Sequence, residues 1–197
     1  MQTVLLPYAG TTMDSPLTRS PRPSTSMRAL ALVLFFVSLA ARAQVGTSTF
    51  TARVSVGTSC NISTSAVAFG NYDPIVANKT TSLNAVGSVT ITCVKGTAPT
   101  IALGLGNNAT GSQRRMKDAV SGDFLLYELY QPSTSAAGAA CSFPGSVVWG
   151  SAGANLLTAT SAPSKVARSY NVCGTVSAAQ NPTVGTYNDT VNATVNF

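Results

Sequence analysis

The stretch Phe50-Thr51-Ala52-Arg53-Val54-Ser55-Val56 alternates apolar and polar side chains without a break. The end of the chain does the same, with Val191, Ala193, Val195 and Phe197 set against Asn192, Thr194 and Asn196. A period of two belongs to an extended strand, whose successive side chains point to opposite faces. Phe50, Ala52, Val54 and Val56 therefore share one face, and the terminal strand is expected to run to the last residue. Two half-buried strands bracket everything between them. Two arrangements satisfy that bracket: both strands belong to one sandwich, or the first leaves its own domain and completes a neighbouring subunit.

Between the brackets the pattern stays extended. Ile62 to Phe69 alternates weakly and stops at Gly70-Asn71-Tyr72-Asp73-Pro74, a dense turn signal. Val86 to Val94 sets Val89, Ile91 and Cys93 against Ser88, Thr90 and Thr92. Pro99–Leu105, Phe124–Tyr130, Val147–Trp149, Lys165–Val176 and Thr186–Phe197 supply the remaining strands, separated by Gly, Asn and Pro. Phe124–Tyr130 is largely apolar on both faces, which suits a central strand, and Tyr127 and Trp149 are assigned to the core. No window of useful length has helical periodicity. Short strands at this spacing indicate an all-β sandwich.

Ahead of the first strand, Met27-Arg28, the apolar run Ala29 to Ala41 and the small-x-small site Ala41-Arg42-Ala43 read as a secretory signal peptide over residues 27–43. The run falls well short of the roughly 20 residues that span a bilayer as a helix, so no transmembrane segment is expected in the mature chain. Residues 1–26 are polar and rich in Ser, Thr and Pro, an unusually long leader that points to Met27 as the start of translation. Cleavage after Ala43 leaves about 150 residues, one domain by length. It also removes Arg19, Arg22, Arg28, Arg42 and Asp14, so the net charge falls from +6 to about +3, too mild to imply nucleic acid. The cluster Arg114-Arg115-Met116-Lys117 lies between turn-like residues and is expected to form a solvated hairpin tip.

Cys60, Cys93, Cys141 and Cys173 make an even count in an exported chain, which reads as two disulfides with three possible pairings. The chain has no histidine and no Cys-x-x-Cys spacing, so neither a metal site nor a cofactor is expected. Without histidine, Ser-His-Asp and Cys-His catalysis have no base. Asp73, Asp118, Asp123, Glu128 and Asp189 are scattered with no paired spacing, and no enzymatic activity is expected.

One ordered set of blocks carries more. Ser59-Cys60-Asn61-Ile62, Phe69-Gly70-Asn71-Tyr72-Asp73-Pro74, Gly87-Ser88-Val89-Thr90-Ile91-Thr92-Cys93, Arg115-Met116, Leu126-Tyr127-Glu128-Leu129-Tyr130, Val148-Trp149-Gly150 and Gly185-Thr186-Tyr187-Asn188-Asp189-Thr190-Val191 occur in that order. Together they resemble the spore coat protein U domain family, which includes the subunits of archaic chaperone–usher pili of Gram-negative bacteria. The resemblance covers about Phe50 to Phe197.

It implies an immunoglobulin-like β-sandwich lacking its last strand and completed by donor-strand exchange. Residues 44–58 then form an N-terminal donor segment, with Phe50, Ala52, Val54 and Val56 as its inward side chains, and residues 59–197 form the pilin domain. The implied partners are a periplasmic chaperone that pairs with the final strand at Val191, Ala193, Val195 and Phe197, an outer-membrane usher, and neighbouring identical or related subunits. The implied role is that of a structural subunit in adhesion or biofilm formation, exported through the periplasm to a cell-surface fimbrium or secreted. A coat-type or adhesin-like protein that does not polymerise is the alternative. The resemblance also implies a Cys60–Cys93 disulfide and, with it, a Cys141–Cys173 disulfide, although Cys173 departs from the non-cysteine residue usual in relatives.

Overall fold

Val89, Ile91 and Cys93 are buried while Thr92 is exposed, so the alternation expected for this stretch holds in the longest strand of the molecule, β2 (Leu83–Cys93). The structure is a computed structural model that describes residues 45–197; the expected leader (1–26) and signal peptide (27–43) lie outside the described residues. Around β2 run β1 (Cys60–Ser65), β3 (Thr100–Leu103), β4 (Arg114–Asp118), β5 (Phe124–Tyr130), β6 (Leu157–Thr158), β7 (Arg168–Val176), β8 (Tyr187–Asn188) and β9 (Ala193–Asn196). One 3₁₀ turn at Gly153–Asn155 is the sole helical element among the described residues. Two antiparallel sheets result: one of six strands in the order β1-β2-β7-β5-β4-β8, and one of three in the order β6-β3-β9. The fold is an all-β, immunoglobulin-like sandwich.

Its core lies between the sheets. Ile91, Tyr170, Leu125, Tyr127 and Leu129 point inward from the large sheet and meet Ile101, Leu103 and Leu157 from the small one. Trp149 is completely buried and donates its indole N–H to the Ile101 carbonyl at 2.9 Å. Each such side chain contributes about 1.5–3 kcal/mol on burial. Phe124–Tyr130 is indeed internal, with β7 on one side and β4 on the other.

Several expectations are corrected. The basic cluster is not a solvated tip: it is strand β4, and Arg114 is 0 % exposed. Its guanidinium pairs with Glu128 and donates to the carbonyls of Gly104 and Trp149, each at 2.7 Å. A run of polar letters concealed a strand whose Arg114 and Asp118 face inward, and the turn itself comes one step later, at Ala119–Gly122. The final strand is shorter than its alternation suggests, because its ladder to β3 covers only Ala193–Asn196. Phe197 is 56 % exposed. Val147–Trp149 reduces to a single bridge between Val148 and Tyr130, β7 starts at Arg168 rather than Lys165, and the short β6 was not anticipated. Residues 45–58 take part in no strand, the alternating Phe50–Val56 included.

Disulfides join Cys60 to Cys93, across the β1–β2 register, and Cys141 to Cys173. The second ties the small-residue loop after β5 onto the middle of β7, where the Gly138 N–H also donates to the Ser169 carbonyl at 2.8 Å.

Candidate functional site

The sandwich is not closed along one side. After β1 the chain continues through Ala66–Phe69 without strand pairing, and it lies close against the large sheet because two strand positions there lack side chains. A Cβ on Gly174 would stand 2.5 Å from Val67 Cγ1 and 2.7 Å from Phe69 Cζ, and one on Gly87 would stand 2.7 Å from Val67 Cγ2. Only glycine leaves room for such an approach. Val67 and Phe69 thus turn toward the core and form one lip of an open groove. The other lip is the segment that enters β9, with Asp189, Val191 and Ala193 lining it.

Between the lips lies a volume of about 830 Å³ floored by Leu125, Tyr127 and Val176. These are core side chains, so the groove opens the hydrophobic interior itself. Strand β9 pairs with β3 on one edge, and among the described residues no strand pairs with its other edge, which faces the groove. Unpaired N–H and C=O groups beside an apolar trough make a template for another strand.

The polar features of the groove hold its shape. The Tyr127 hydroxyl donates to Asp189 Oδ2 at 2.7 Å, while Asp189 Oδ1 accepts from the backbone N–H and the side-chain amide of Asn108, each at 3.1 Å. Burial, reinforced by the hydrogen bond to Asp189, pushes the Tyr127 phenol far above its ordinary range, so it acts as a fixed donor. Phe69 meets the Tyr127 ring edge-on with centroids 6.2 Å apart. No lysine or arginine lines the groove. Among the described residues no group of three metal-ligating side chains occurs, and no described helix is long and apolar enough to cross a membrane. The arrangement suits an extended apolar peptide: backbone pairing along β9 and side-chain pockets along the floor.

The expected site residues divide into two sets. Val191 and Ala193 line the groove, Val195 is half-buried opposite Ile101, and Phe197 lies beyond the ladder. Phe50, Val54 and Val56 are 93 %, 91 % and 77 % exposed, and Ala52 is exposed as well. Sequence reasoning missed the lip residues Val67 and Phe69 and the Tyr127–Asp189 pair. Phe69, Tyr127 and Asp189 stand in the blocks Phe69–Pro74, Leu126–Tyr130 and Gly185–Val191, whereas Val67 lies in none of them.

Comparison with known proteins agrees with the fold. The chain is 32 % identical over 185 residues to Protein U of Myxococcus xanthus, an alignment covering 86 % of this chain and 97 % of that protein. Among solved structures it is similar to a chain in the crystal structure of the CsuC–CsuE chaperone–tip adhesion subunit pre-assembly complex from archaic chaperone–usher Csu pili of Acinetobacter baumannii, with a TM-score of 0.50 and 26 % identity. That match covers 72 % of this chain and spans 40 % of the length of the other. The family model described as the Spore Coat Protein U domain matches residues 46–194. The chain belongs to the spore coat protein U domain family.

Proposed function

We propose that the protein is a structural subunit of a surface fibre, built through a periplasmic chaperone and an outer-membrane usher, with the fibre serving adhesion or biofilm formation. Phe50–Val56 of one subunit fills the groove of the next, and before that the chaperone occupies the same groove along β9. The observation that carries this reading is the pairing of features within one chain: an apolar groove with an unpaired strand edge, and an apolar alternating stretch with no strand partner. Seating Phe50, Val54 and Val56 would contribute on the order of 5 kcal/mol from burial, before backbone pairing is counted. The similarity to a chaperone–subunit complex of pili supports the chaperone step.

A second reading, a secreted coat-type protein that never polymerises, draws on the Spore Coat Protein U description of the family. Fibres from the wild-type chain separate the two, and replacing Val54 with Asp then tests donation, since it places a charge where an apolar pocket is expected, at a cost of several kcal/mol. The expected result is a folded, disulfide-bonded subunit that gives neither fibres by negative-stain microscopy nor a multimer ladder in unheated detergent gels. Fibres of normal length and stability from Val54→Asp would count against donation.

A further inference from the structure

Resting on that reading, we propose that one end of the groove is a preformed seat for the body of the donating subunit. Four aliphatic side chains, Ile75, Val76, Val120 and Val184, make the seat, and it receives the basic opposite end of the next copy.

The two ends of the sandwich differ in construction. At the first, called here the loop end, β2 begins, β7 finishes and the β4–β5 turn projects. Three loops meet there and are welded by hydrogen bonds. Asp73 Oδ1 accepts from the backbone N–H groups of Ile75 and Val76 at 2.9 and 3.1 Å. Asp118 accepts from Ser121 and from the Thr186 N–H, and Asp123 Oδ2 accepts from the Thr183 N–H and hydroxyl, both at 3.0 Å. The Ala179 N–H donates to the Asn78 carbonyl, also at 3.0 Å.

Loops held this firmly nonetheless present bare aliphatic tips: Ile75, Val76, Val120 and Val184 are 75–97 % exposed. Pro74, Thr183, Val184 and Gly185 line the groove as well, so Val184 stands at its mouth and Ile75 and Val76 follow directly on Pro74. Rigid exposed apolar groups clustered at one place mark an interaction surface.

The occupant follows from chain geometry. Thr100 pairs with Asn196 and Leu103 with Ala193, so β9 runs from the loop end toward the end that carries the Cys60–Cys93 disulfide. Every strand pairing in the fold is antiparallel. A donor strand that adds to β9 in the same sense brings its Val56 out at the loop end. Only Gly57, Thr58 and Ser59 separate Val56 from Cys60 of the donor's own β1, a reach of at most about 14 Å. The donor's disulfide end must therefore abut the acceptor's loop end.

The disulfide end is the basic one, with Lys95, Lys165 and Arg168 beside the exposed Val166. The loop end is balanced: Asp73, Asp123 and the buried Asp118 stand against Lys79, Arg115 and Lys117. Of its cations, Lys79 sits in the Asp73 loop, while Arg115 and Lys117 lie over the Phe124 ring at 4.0 and 5.8 Å.

The test uses the purified exported chain carrying Val76→Lys with Val120→Lys, two changes at exposed positions outside the groove lining. A labelled synthetic peptide of residues 49–57 reports groove filling, and light scattering with unheated gels reports subunit–subunit assembly. The expected result is unchanged peptide uptake with assembly slowed by about tenfold. Raising salt from 20 to 500 mM should restore part of that lost rate by screening the new lysines from Lys95, Lys165 and Arg168 of the incoming copy, without affecting peptide uptake. If peptide uptake and assembly both match wild type in the valine variant, the seat is wrong and donation stands. If the wild-type chain fails to take up the peptide, donation itself is wrong and the seat falls with it.

Discussion

Arg114 is the residue at which local letters mislead most. A guanidinium with no exposure, an ion pair to Glu128 and two short bonds to carbonyls joins β4 and β5 to the end of β3 and to Trp149. Removing one partner of such a pair leaves the other charge and the carbonyls without donors, which costs more than an exposed pair would. Arg114→Met is therefore expected to lower stability by about 3 kcal/mol, read from the midpoint of urea unfolding. A change below about 1 kcal/mol would mean that water replaces the lost donors. Gly174 makes the complementary case: its missing side chain lets Val67 and Phe69 approach the sheet. The sequence shows a glycine inside a strand pattern, but nothing local says which neighbour needs the space.

Among elements, regular alternation was readable and partnership was not. The inward face of β2 and the internal position of β5 follow from their own letters. The shortness of β9 does not, because its ladder stops where β3 stops, and β3 is four residues long. Likewise Phe50–Val56 has the letters of a strand and no partner, since pairing is a property of two segments. The groove was legible only through the family blocks that hold Phe69, Tyr127, Asp189 and Val191, which meet from distant parts of the chain, and its lip residue Val67 lies outside them all. The loops of the groove mouth make a prediction of their own. Backbone and side-chain donors from Ile75, Val76, Ser121 and Thr183 hold Asp73, Asp118 and Asp123 below the usual carboxylate range. A carboxyl whose folded value lies below its unfolded one stabilises the fold above the unfolded value and loses that contribution as pH falls through the folded value. Protection of backbone amides at residues 73–79 and 118–123, taken relative to the intrinsic exchange rate at each pH, is therefore expected to fall below about pH 4, before the β2–β7 ladder opens. Uniform protection down to global acid unfolding would contradict this.

For the whole molecule, an interior open along one side makes stability depend on what fills it. Deleting Thr194–Phe197 removes most of the β9 ladder to β3, and with it the anchor of the groove lip at Asp189, Val191 and Ala193. The truncated subunit is expected to be degraded in the periplasm, as followed by immunoblot of the exported fraction; accumulation at the wild-type level would show that β9 is dispensable. Trp149 stands apart from these events. It is the single tryptophan of the chain, fully buried, hydrogen-bonded to Ile101, and not among the side chains that line the groove. Its emission should therefore stay blue and constant as grooves fill and shift red only when the sealed half of the sandwich melts, giving the subunit a native fluorophore that reports melting separately from assembly.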